Sequence, residues 1–139
     1  MEIHYSDNLE DVSWQRICEI FEDVGWERRR PKETQQAFEK SSFVRIAYHK
    51  KMIVGFGRTV DDGKYYGLIV DLIVHPDYQG RGIGKRILQE LRDEMNGFIF
   101  KTLTAAYGKH EFYLQQGWKR QTSAFIWPRN EKQTDQHAR

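Results

Sequence analysis

The chain has 139 residues, of which 39% are hydrophobic and 14% aromatic, a composition typical of one folded globular domain. Its 22 Lys and Arg residues nearly balance its 20 Asp and Glu residues, and the net charge of +2 gives no argument for nucleic acid or an anionic membrane as the main partner. The single cysteine, Cys18, excludes an internal disulfide and a cysteine-based zinc site, and its apolar helical surroundings indicate a small core residue.

The N-terminal half alternates between strand-like and helix-like patterns. Ser13 is placed to cap a helix whose apolar stripe recurs at helical spacing, and Gly25 ends that helix. In chain order, the predicted elements are a strand at 2–5, helices at 13–24 and 32–40, and a strand hairpin at 43–49 and 52–59.

The C-terminal half predicts a long central strand that Pro76 stops. The predicted elements are that strand at 65–75, a helix at 83–95, a strand at 98–104, a helix at 109–116 and a last strand at 118–127. The order β-α-α-β-β-β-α-β-α-β indicates an α/β arrangement around one mixed sheet. We expect one domain at 1–128, followed by a polar, disordered tail at 129–139.

The turn between the central strand and the next helix is rich in glycine. It reads Gln79-Gly80-Arg81-Gly82-Ile83-Gly84-Lys85, so bare N–H groups gather at a helix start, where the helix dipole favours an anion. A P-loop would need Ser or Thr where Arg86 stands, and the dinucleotide fingerprint would need glycine in place of Lys85. The turn therefore predicts a pocket for a phosphate-bearing ligand of another kind.

Two motifs resemble those of the GCN5-related N-acetyltransferases (GNAT). The glycine turn resembles the family's Gln/Arg-x-x-Gly-x-Gly/Ala loop, and 112–118 (Phe-Tyr-Leu-Gln-Gln-Gly-Trp) resembles its Phe-Tyr-x-x-x-Gly-Phe element. Shorter similarities in the N-terminal half resemble the plastid serotonin N-acetyltransferase-like branch and small bacterial members. The resemblance covers nearly the whole chain and implies the α/β GNAT fold, with a single mixed central sheet and helices on both faces.

The resemblance implies acetyl-CoA as the co-substrate, without a metal. Its pantetheine arm would lie where the strands at 65–75 and 98–104 splay apart, with Ile73 or Val74 donating an N–H to the thioester carbonyl. The Asn that many members carry before the Phe-Tyr element is Ala106 here. The residues expected to bind the cofactor are Leu72, Ile73, Val74, Gln79, Gly80, Arg81, Gly82, Ile83, Gly84 and Lys85.

Two side chains are the candidates for proton transfer. Tyr113 matches the family's general acid, since a phenol stays protonated at neutral pH and can return a proton to the sulfur of coenzyme A; the alternative is that it only packs against the thiol. Asp71 is the candidate general base, on one strand face with Ile73 and His75 unless a bulge intervenes. The alternative for Asp71 is a hydrogen-bonded structural role.

The acceptor is expected to be a small primary amine. Trp26, Phe56, Tyr65 and Tyr66 are candidates to line its pocket. For each of them alone, packing in the core is the favoured alternative. Arg58 is expected either to bind a substrate anion or to pair with Asp71 or Asp61, and Arg28-Arg29-Arg30 is expected to form a solvated loop.

Two other functions remain open: a protein or peptide N-acetyltransferase, and a non-catalytic module that binds acyl-CoA. No signal segment or long apolar span is found, so we expect a cytoplasmic protein. Neither nucleic acid nor membrane is an expected partner. A homodimer could form through the exposed edge of the predicted strand at 118–127.

Overall fold

The structure is a computed structural model in which residues 1–138 are described. Residues Met1–Leu103 form one compact unit, and the chain from Thr104 onward forms a second. The predicted tail ends at Arg139, which lies outside the described residues.

The first unit is built on a five-stranded mixed sheet in the order β1-β2-β3-β4-β5. All neighbouring strands are antiparallel except β4 and β5, which are parallel. This arrangement confirms the α/β class and the single mixed sheet. The elements of this unit are β1 (His4–Ser6), α1 (Trp14–Asp23), α2 (Pro31–Glu39), β2 (Val44–His49), β3 (Met52–Asp61), β4 (Tyr66–Val74), a 3₁₀ turn (Pro76–Tyr78), α3 (Ile83–Glu94) and β5 (Phe100–Leu103).

The helix ends follow the signals in the sequence. The hydroxyl of Ser13 accepts a hydrogen bond from the Arg16 N–H at 3.2 Å and caps α1. Gly25 follows α1 with a φ of 86°, a left-handed conformation that glycine adopts without a steric penalty. Pro31 occupies the first turn of α2, where its missing N–H has no helical partner to lose.

The sheet carries helices on both faces, as expected. On one face α1 and α2 bury an aromatic cluster in which the ring of Phe56 lies 5.2 Å from that of Phe21 and 6.0 Å from that of Phe38. On the other face α3 packs closely on β3, because a Cβ added at Gly57 would meet Ile87 at 3.0 Å. The close approach of the helix to the sheet therefore favours glycine at residue 57.

A β-bulge interrupts the pairing of β3 with β4. Ile73 is opposite Phe56 and Val70 is opposite Arg58, so two residues of β4 stand against one residue of β3. One of the two is Asp71, whose φ of 54° lies in the left-handed region that non-glycine residues rarely adopt. Side chains alternate between the two faces of a sheet along a strand. The extra residue therefore reverses, for the residues that follow it in β4, which side chains point to each face.

The change of face is visible in the packing around β4. Ahead of the bulge, a Cβ at Gly67 would meet Met95 and Phe98, next to the C-terminus of α3. Beyond it, Ile73 joins the aromatic cluster under α1 and α2, while Leu72 reaches the α3 side. The bulge therefore places Asp71 and Ile73 together on the α1–α2 face, the shared face that the sequence predicted for them.

The second unit contains two short helices, α4 (His110–Gln115) and α5 (Glu131–His137). The prediction of a last strand at 118–127 is wrong, since these residues, all of them described, form turns and irregular chain. Half of the segment is polar, in one run at 119–123, so it lacks the two-residue alternation of a half-buried strand. The side chains of Phe125 and Trp127 are 99% and 95% exposed. Helix α5 lies within the segment predicted as a disordered tail, and the domain boundary at residue 128 stays a prediction.

We expect the replacement of Phe56 with alanine to lower the free energy of unfolding by about 3–5 kcal/mol, the usual cost of emptying a core aromatic site. Phe56 is fully buried between the rings of Phe21 and Phe38. Urea denaturation followed by circular dichroism measures this change. Val60→Ala, at a position of the same strand that is 47% exposed, is the control and should shift the midpoint only slightly. Equal losses in the two variants would contradict the assignment of the core.

Candidate active site

The glycine turn leads from the end of β4 into α3. Gly80 and Gly82 have φ values of 78° and 84°, so both positions need the conformational freedom of glycine. A Cβ at either glycine would meet no atom within 4 Å, which leaves open space above the backbone. Gly82 caps α3 without a side-chain hydrogen bond, so the N–H groups of the first turn are presented at the positive end of the helix dipole. This geometry suits a pyrophosphate.

The side chains of Gln79 and Arg81 brace the turn. The Gln79 amide donates to the Val74 carbonyl at 2.9 Å, and Arg81 donates to the Asp77 carbonyl at 3.4 Å. The guanidinium of Arg81 also lies 5.6 Å from the centre of the Tyr78 ring. Both residues were expected to bind the cofactor, and their side chains here hold the backbone around the two glycines.

Strand β5 ends before strand β4 does, which leaves the C-terminal part of β4 unpaired on that side. Their parallel register ends at the pair Ile69–Leu103, whereas β4 continues to Val74. From residue 70 to residue 74, no strand of the described residues pairs with β4 on the side of β5, and this unpaired side of β4 forms a gap in the sheet. The family resemblance places the pantetheine arm in this gap, on the side of β4 that is unpaired beyond Ile69.

The direction of the backbone amides distinguishes the two candidate thioester donors. The N–H of His75 points to β3 and donates to the Val54 carbonyl at 2.8 Å. Because successive N–H groups of a strand point to opposite sides, the N–H of Ile73 also faces β3, and those of Leu72 and Val74 face the gap. The orientation favours Val74 over Ile73 as the donor to a thioester carbonyl.

Asp71 lies in a buried cluster of charges. Its carboxylate accepts hydrogen bonds from both terminal nitrogens of Arg29, at 3.0 and 3.1 Å, and from Nε of Arg58 at 2.8 Å. Arg58 also donates to the Ala37 carbonyl and to the Ser41 hydroxyl. Of the roles left open for Arg58, pairing with Asp71 is the one that the structure contains.

The pairing of Arg29 with Asp71 was not predicted from the sequence. Arg29 was expected to be solvated with Arg28 and Arg30, yet its guanidinium lies 4.0 Å from the centre of the Phe21 ring and pairs with Asp71. The side chain of Arg28, by contrast, is 89% exposed and pairs with Glu22 on the surface. Three consecutive arginines look alike in sequence, and only the fold distinguishes the middle one.

His75 is engaged through both ring nitrogens. Nδ1 accepts a hydrogen bond from the Asp77 N–H at 3.1 Å, and Nε2 lies 3.4 Å from a carboxylate oxygen of Asp23. Neither nitrogen offers an unoccupied lone pair to a substrate proton. The histidine therefore joins the end of α1 to the end of β4, in keeping with its interpretation as a strand-end residue.

Tyr113 lies on α4 in the second unit, with its ring 5.0 Å from that of Phe112. The Trp118 N–H donates to the Tyr113 carbonyl, and Gly117, with a φ of 89°, ends the helix in the left-handed conformation. Burial raises the pKa of the Tyr113 phenol above its ordinary value of about 10. The side chain is therefore protonated at neutral pH, as a proton donor must be.

The aromatic residues proposed for the acceptor pocket differ in exposure. Phe56 is fully buried in the core, which is the alternative expected for these aromatics, and it lines no pocket. Trp26 is 37% exposed, and Tyr65 and Tyr66 are half exposed. Tyr66 stacks on Phe100 at 6.1 Å with nearly parallel rings.

A cavity of about 560 Å³ opens beside the glycine turn. His75, Tyr78 and Arg81 line it on the side of the turn, and the Tyr78 hydroxyl lies 2.8 Å from Nδ1 of His49. Arg16 adds a second guanidinium to its wall. The carboxylate of Asp77 also lines the cavity, so two guanidinium groups face one carboxylate, and this excess favours an anionic group over an ammonium.

Within residues 1–138, no cluster of three or more His, Cys, Asp or Glu side chains is arranged to hold a metal ion. None of the helices in the same range is long and apolar enough to cross a membrane.

Known proteins with similar sequences are N-acetyltransferases by name. The chain is 28% identical over 104 residues to the uncharacterized N-acetyltransferase ycf52 of Porphyra purpurea, covering 72% of this chain and 60% of that protein. It is 29% identical to the chloroplastic serotonin N-acetyltransferase 2 of rice, covering 58% of this chain and 42% of that protein. It is also 29% identical to the histone acetyltransferase TAP1 of soybean, covering 58% of this chain and 40% of that protein. The chain spans between 53% and 61% of the length of the ycf52 relatives of red algae that it matches.

Solved structures show the same fold. A GNAT-family acetyltransferase of Streptococcus pneumoniae superposes with a TM-score of 0.77 at 25% identity, covering 93% of this chain and all of that one. A probable acetyltransferase of unknown function from methicillin-resistant Staphylococcus aureus gives a TM-score of 0.79 at 18% identity, with the same coverage. The family model described as acetyltransferase (GNAT) domain matches residues 40–120, from β2 through the glycine turn to the Phe-Tyr element. The chain thus belongs to the GNAT acetyltransferase family.

Proposed function

We propose that the protein is an acetyl-CoA-dependent N-acetyltransferase that transfers the acetyl group to a primary amine of a small molecule by direct attack. The observation that carries the proposal is the gap beside β4. It begins where the register with β5 ends at Ile69 and leads to the glycine turn at the start of α3. An extended pantetheine arm and a pyrophosphate are the two chemical groups that such a pair of features suits.

The backbone supplies most of the proposed binding. The N–H groups of the glycine turn would hold the pyrophosphate through the helix dipole, without a metal ion. The N–H groups of Leu72 and Val74 would pair with the arm as a neighbouring strand would, and Val74 would donate to the thioester oxygen. A donor fixed in advance at a developing oxyanion is commonly worth about 3–4 kcal/mol of the barrier.

The transfer forms a C–N bond, breaks the C–S bond and moves one proton from the amine to the sulfur. The resemblance assigns the return of the proton to Tyr113, whose raised pKa keeps the phenol protonated. Asp71 as the base stays a prediction. Its carboxylate already accepts three hydrogen bonds from two guanidinium groups, which supports the alternative of a structural role.

Membership of the family does not determine the chemical class of the acceptor. One relative is named for serotonin and another for histones, so an arylalkylamine and a lysine side chain are both within the range of similar sequences. A primary amine is common to both. We propose the small molecule on the resemblance of the N-terminal half to the serotonin N-acetyltransferase-like branch, with the protein acceptor as the alternative.

The test is thiol release from acetyl-CoA with a panel of acceptors: arylalkylamines, polyamines, amino acids, aminoglycosides and a lysine peptide. Calorimetric titration with acetyl-CoA is run beside it. Turnover with a small amine supports the proposal, and turnover with the peptide alone replaces it with a protein acetyltransferase. Binding without turnover would favour the non-catalytic module, and absence of both would overturn the proposal.

A cytoplasmic location and a homodimer remain predictions. Rice serotonin N-acetyltransferase 2 is named as chloroplastic, so similar sequences do not share one compartment. The expected dimer contact was the exposed edge of a strand at 118–127, and that segment forms no strand. A dimer would therefore need a different contact, and size-exclusion chromatography with light scattering measures it.

A further inference from the structure

We propose that Arg29 and Arg58 act as a clamp on Asp71 that holds the β4 bulge in place, and that this clamp sets the direction of the Val74 N–H. Asp71 is then a positioning residue. This inference rests on the proposed function for its consequence in catalysis, and on the geometry of β4 alone for its structural part.

The bulge decides which amides face the gap. Side chains and amides alternate along a strand, so removing one residue from β4 would exchange the two sets. Without the bulge, the N–H of Val74 would turn toward β3 and that of Ile73 would turn toward the gap. The position of the donor near the thioester thus depends on one extra residue near Asp71.

The bulge has an evident cost. Asp71 adopts a φ of 54°, which is unfavourable for a residue with a Cβ, although aspartate tolerates it better than most. Its side chain is also buried, with a relative exposure of 7%. A buried carboxylate in a strained backbone persists only where the surroundings hold it strongly.

The two arginines supply that hold from different parts of the chain. Arg58 lies on β3, opposite Val70 at the edge of the bulge, and approaches Asp71 to 2.8 Å. Arg29 lies between α1 and α2 and binds both carboxylate oxygens in a fork, the strongest geometry available to a guanidinium. The fork connects the loop between the two helices to the strand beside the gap.

The aromatic rings fix the arginines in turn. The guanidinium of Arg29 stacks over Phe21, and that of Arg58 lies 5.4 Å from the centre of the Phe38 ring. Both rings belong to the hydrophobic core. Because those rings cannot move without disturbing the core, the clamp is rigid, and a shorter or uncharged side chain at residue 29 cannot reproduce it.

The experiment compares Arg29→Met, Arg29→Lys and Asp71→Asn with the wild type. Arg28→Met is the matched control, because this neighbouring arginine has an exposed side chain and pairs with Glu22 on the surface. Five quantities are measured. They are the acetyl-CoA Kd, kcat and KM with the best acceptor, the pH profile of kcat/KM, and, by NMR without ligand, the exchange of the amide protons of Ile73 and His75, which face β3.

We expect Arg29→Met to lower kcat about 10- to 100-fold, because the N–H of Val74 would move away from the thioester oxygen. The acetyl-CoA Kd should change less than threefold. The shape of the pH profile should stay that of the wild type. The amide protons of Ile73 and His75 should exchange faster, because their hydrogen bonds to β3 depend on the register that the bulge sets. The amide resonance of Val74 should shift in the spectrum. Arg29→Lys should show a smaller loss of kcat, which keeps the test decisive if the methionine variant does not fold.

Two results would overturn the clamp. One is an Arg29→Lys or Arg29→Met variant with wild-type kcat and wild-type amide exchange. The other is an Asp71→Asn variant that loses the acidic limb of the pH profile while the Arg29 variants do not, since that pattern belongs to a general base. If the wild type binds no acetyl-CoA, the proposed function fails, and amide exchange still tests the clamp.

Discussion

Replacing Gly82 with valine is expected to raise the Kd for acetyl-CoA about 100-fold or more, through the loss of the N–H cradle at the start of α3. Gly82 has a φ of 84°, and a β-branched residue in that conformation costs at least about 1–2 kcal/mol. The chain would relieve this strain by rotating the turn, which moves the N–H groups of the first helical turn away from the pyrophosphate. Isothermal calorimetry measures the loss directly.

A second glycine separates lost binding from simple strain. Gly97 has a φ of 89°, and a Cβ there would meet no atom within 4 Å, the same situation as at Gly82. It lies between α3 and β5, outside the glycine turn. Gly97→Val should therefore lose stability like Gly82→Val and still bind acetyl-CoA as the wild type does. Equal loss of binding in the two variants would contradict the placement of the pyrophosphate.

The sequence predicted those elements that depend on local chemistry. Ser13 and Gly25 set the ends of α1, and Pro76 ends β4, because capping and proline act within a few residues. The glycine turn was recognised for the same reason, since Gly80 and Gly82 are needed by their own backbone angles. A family motif can therefore be recognised in the sequence when all the residues that it needs lie in one short segment.

Features that depend on distant contacts could not be predicted. Arg29 reaches Asp71 across 42 positions of the chain, and nothing local distinguishes it from Arg28. The bulge at Asp71 was allowed for but not located, because a strand pattern does not record where its partner has one residue fewer. The prediction of a strand at 118–127 was wrong. Its evidence was the aromatic residues at the two ends, Trp118 and Trp127, but a polar run at 119–123 separates them, and the sheet of the described residues contains no strand from this segment.

Tyr113→Phe is expected to lower kcat about 100-fold, the lower end of what a positioned general acid contributes. The acetyl-CoA Kd should change less than twofold, since the phenyl ring retains the contact with the ring of Phe112. Because burial raises the pKa of the phenol, the acid form persists as the pH rises, and the wild type should show no fall in kcat from this group between pH 7 and 9. Steady-state kinetics over that range measures both effects.

The control for the phenol is Tyr107→Phe, which removes a hydroxyl from a tyrosine of the same unit that is 64% exposed. Wild-type kcat is expected there. If Tyr113→Phe also kept kcat within about threefold, water or the substrate would be returning the proton, and the tyrosine would serve only to pack against the thiol. A loss in kcat with an unchanged Kd separates these roles, because packing acts on bound substrate and transition state alike, whereas a proton donor acts only as the C–S bond breaks.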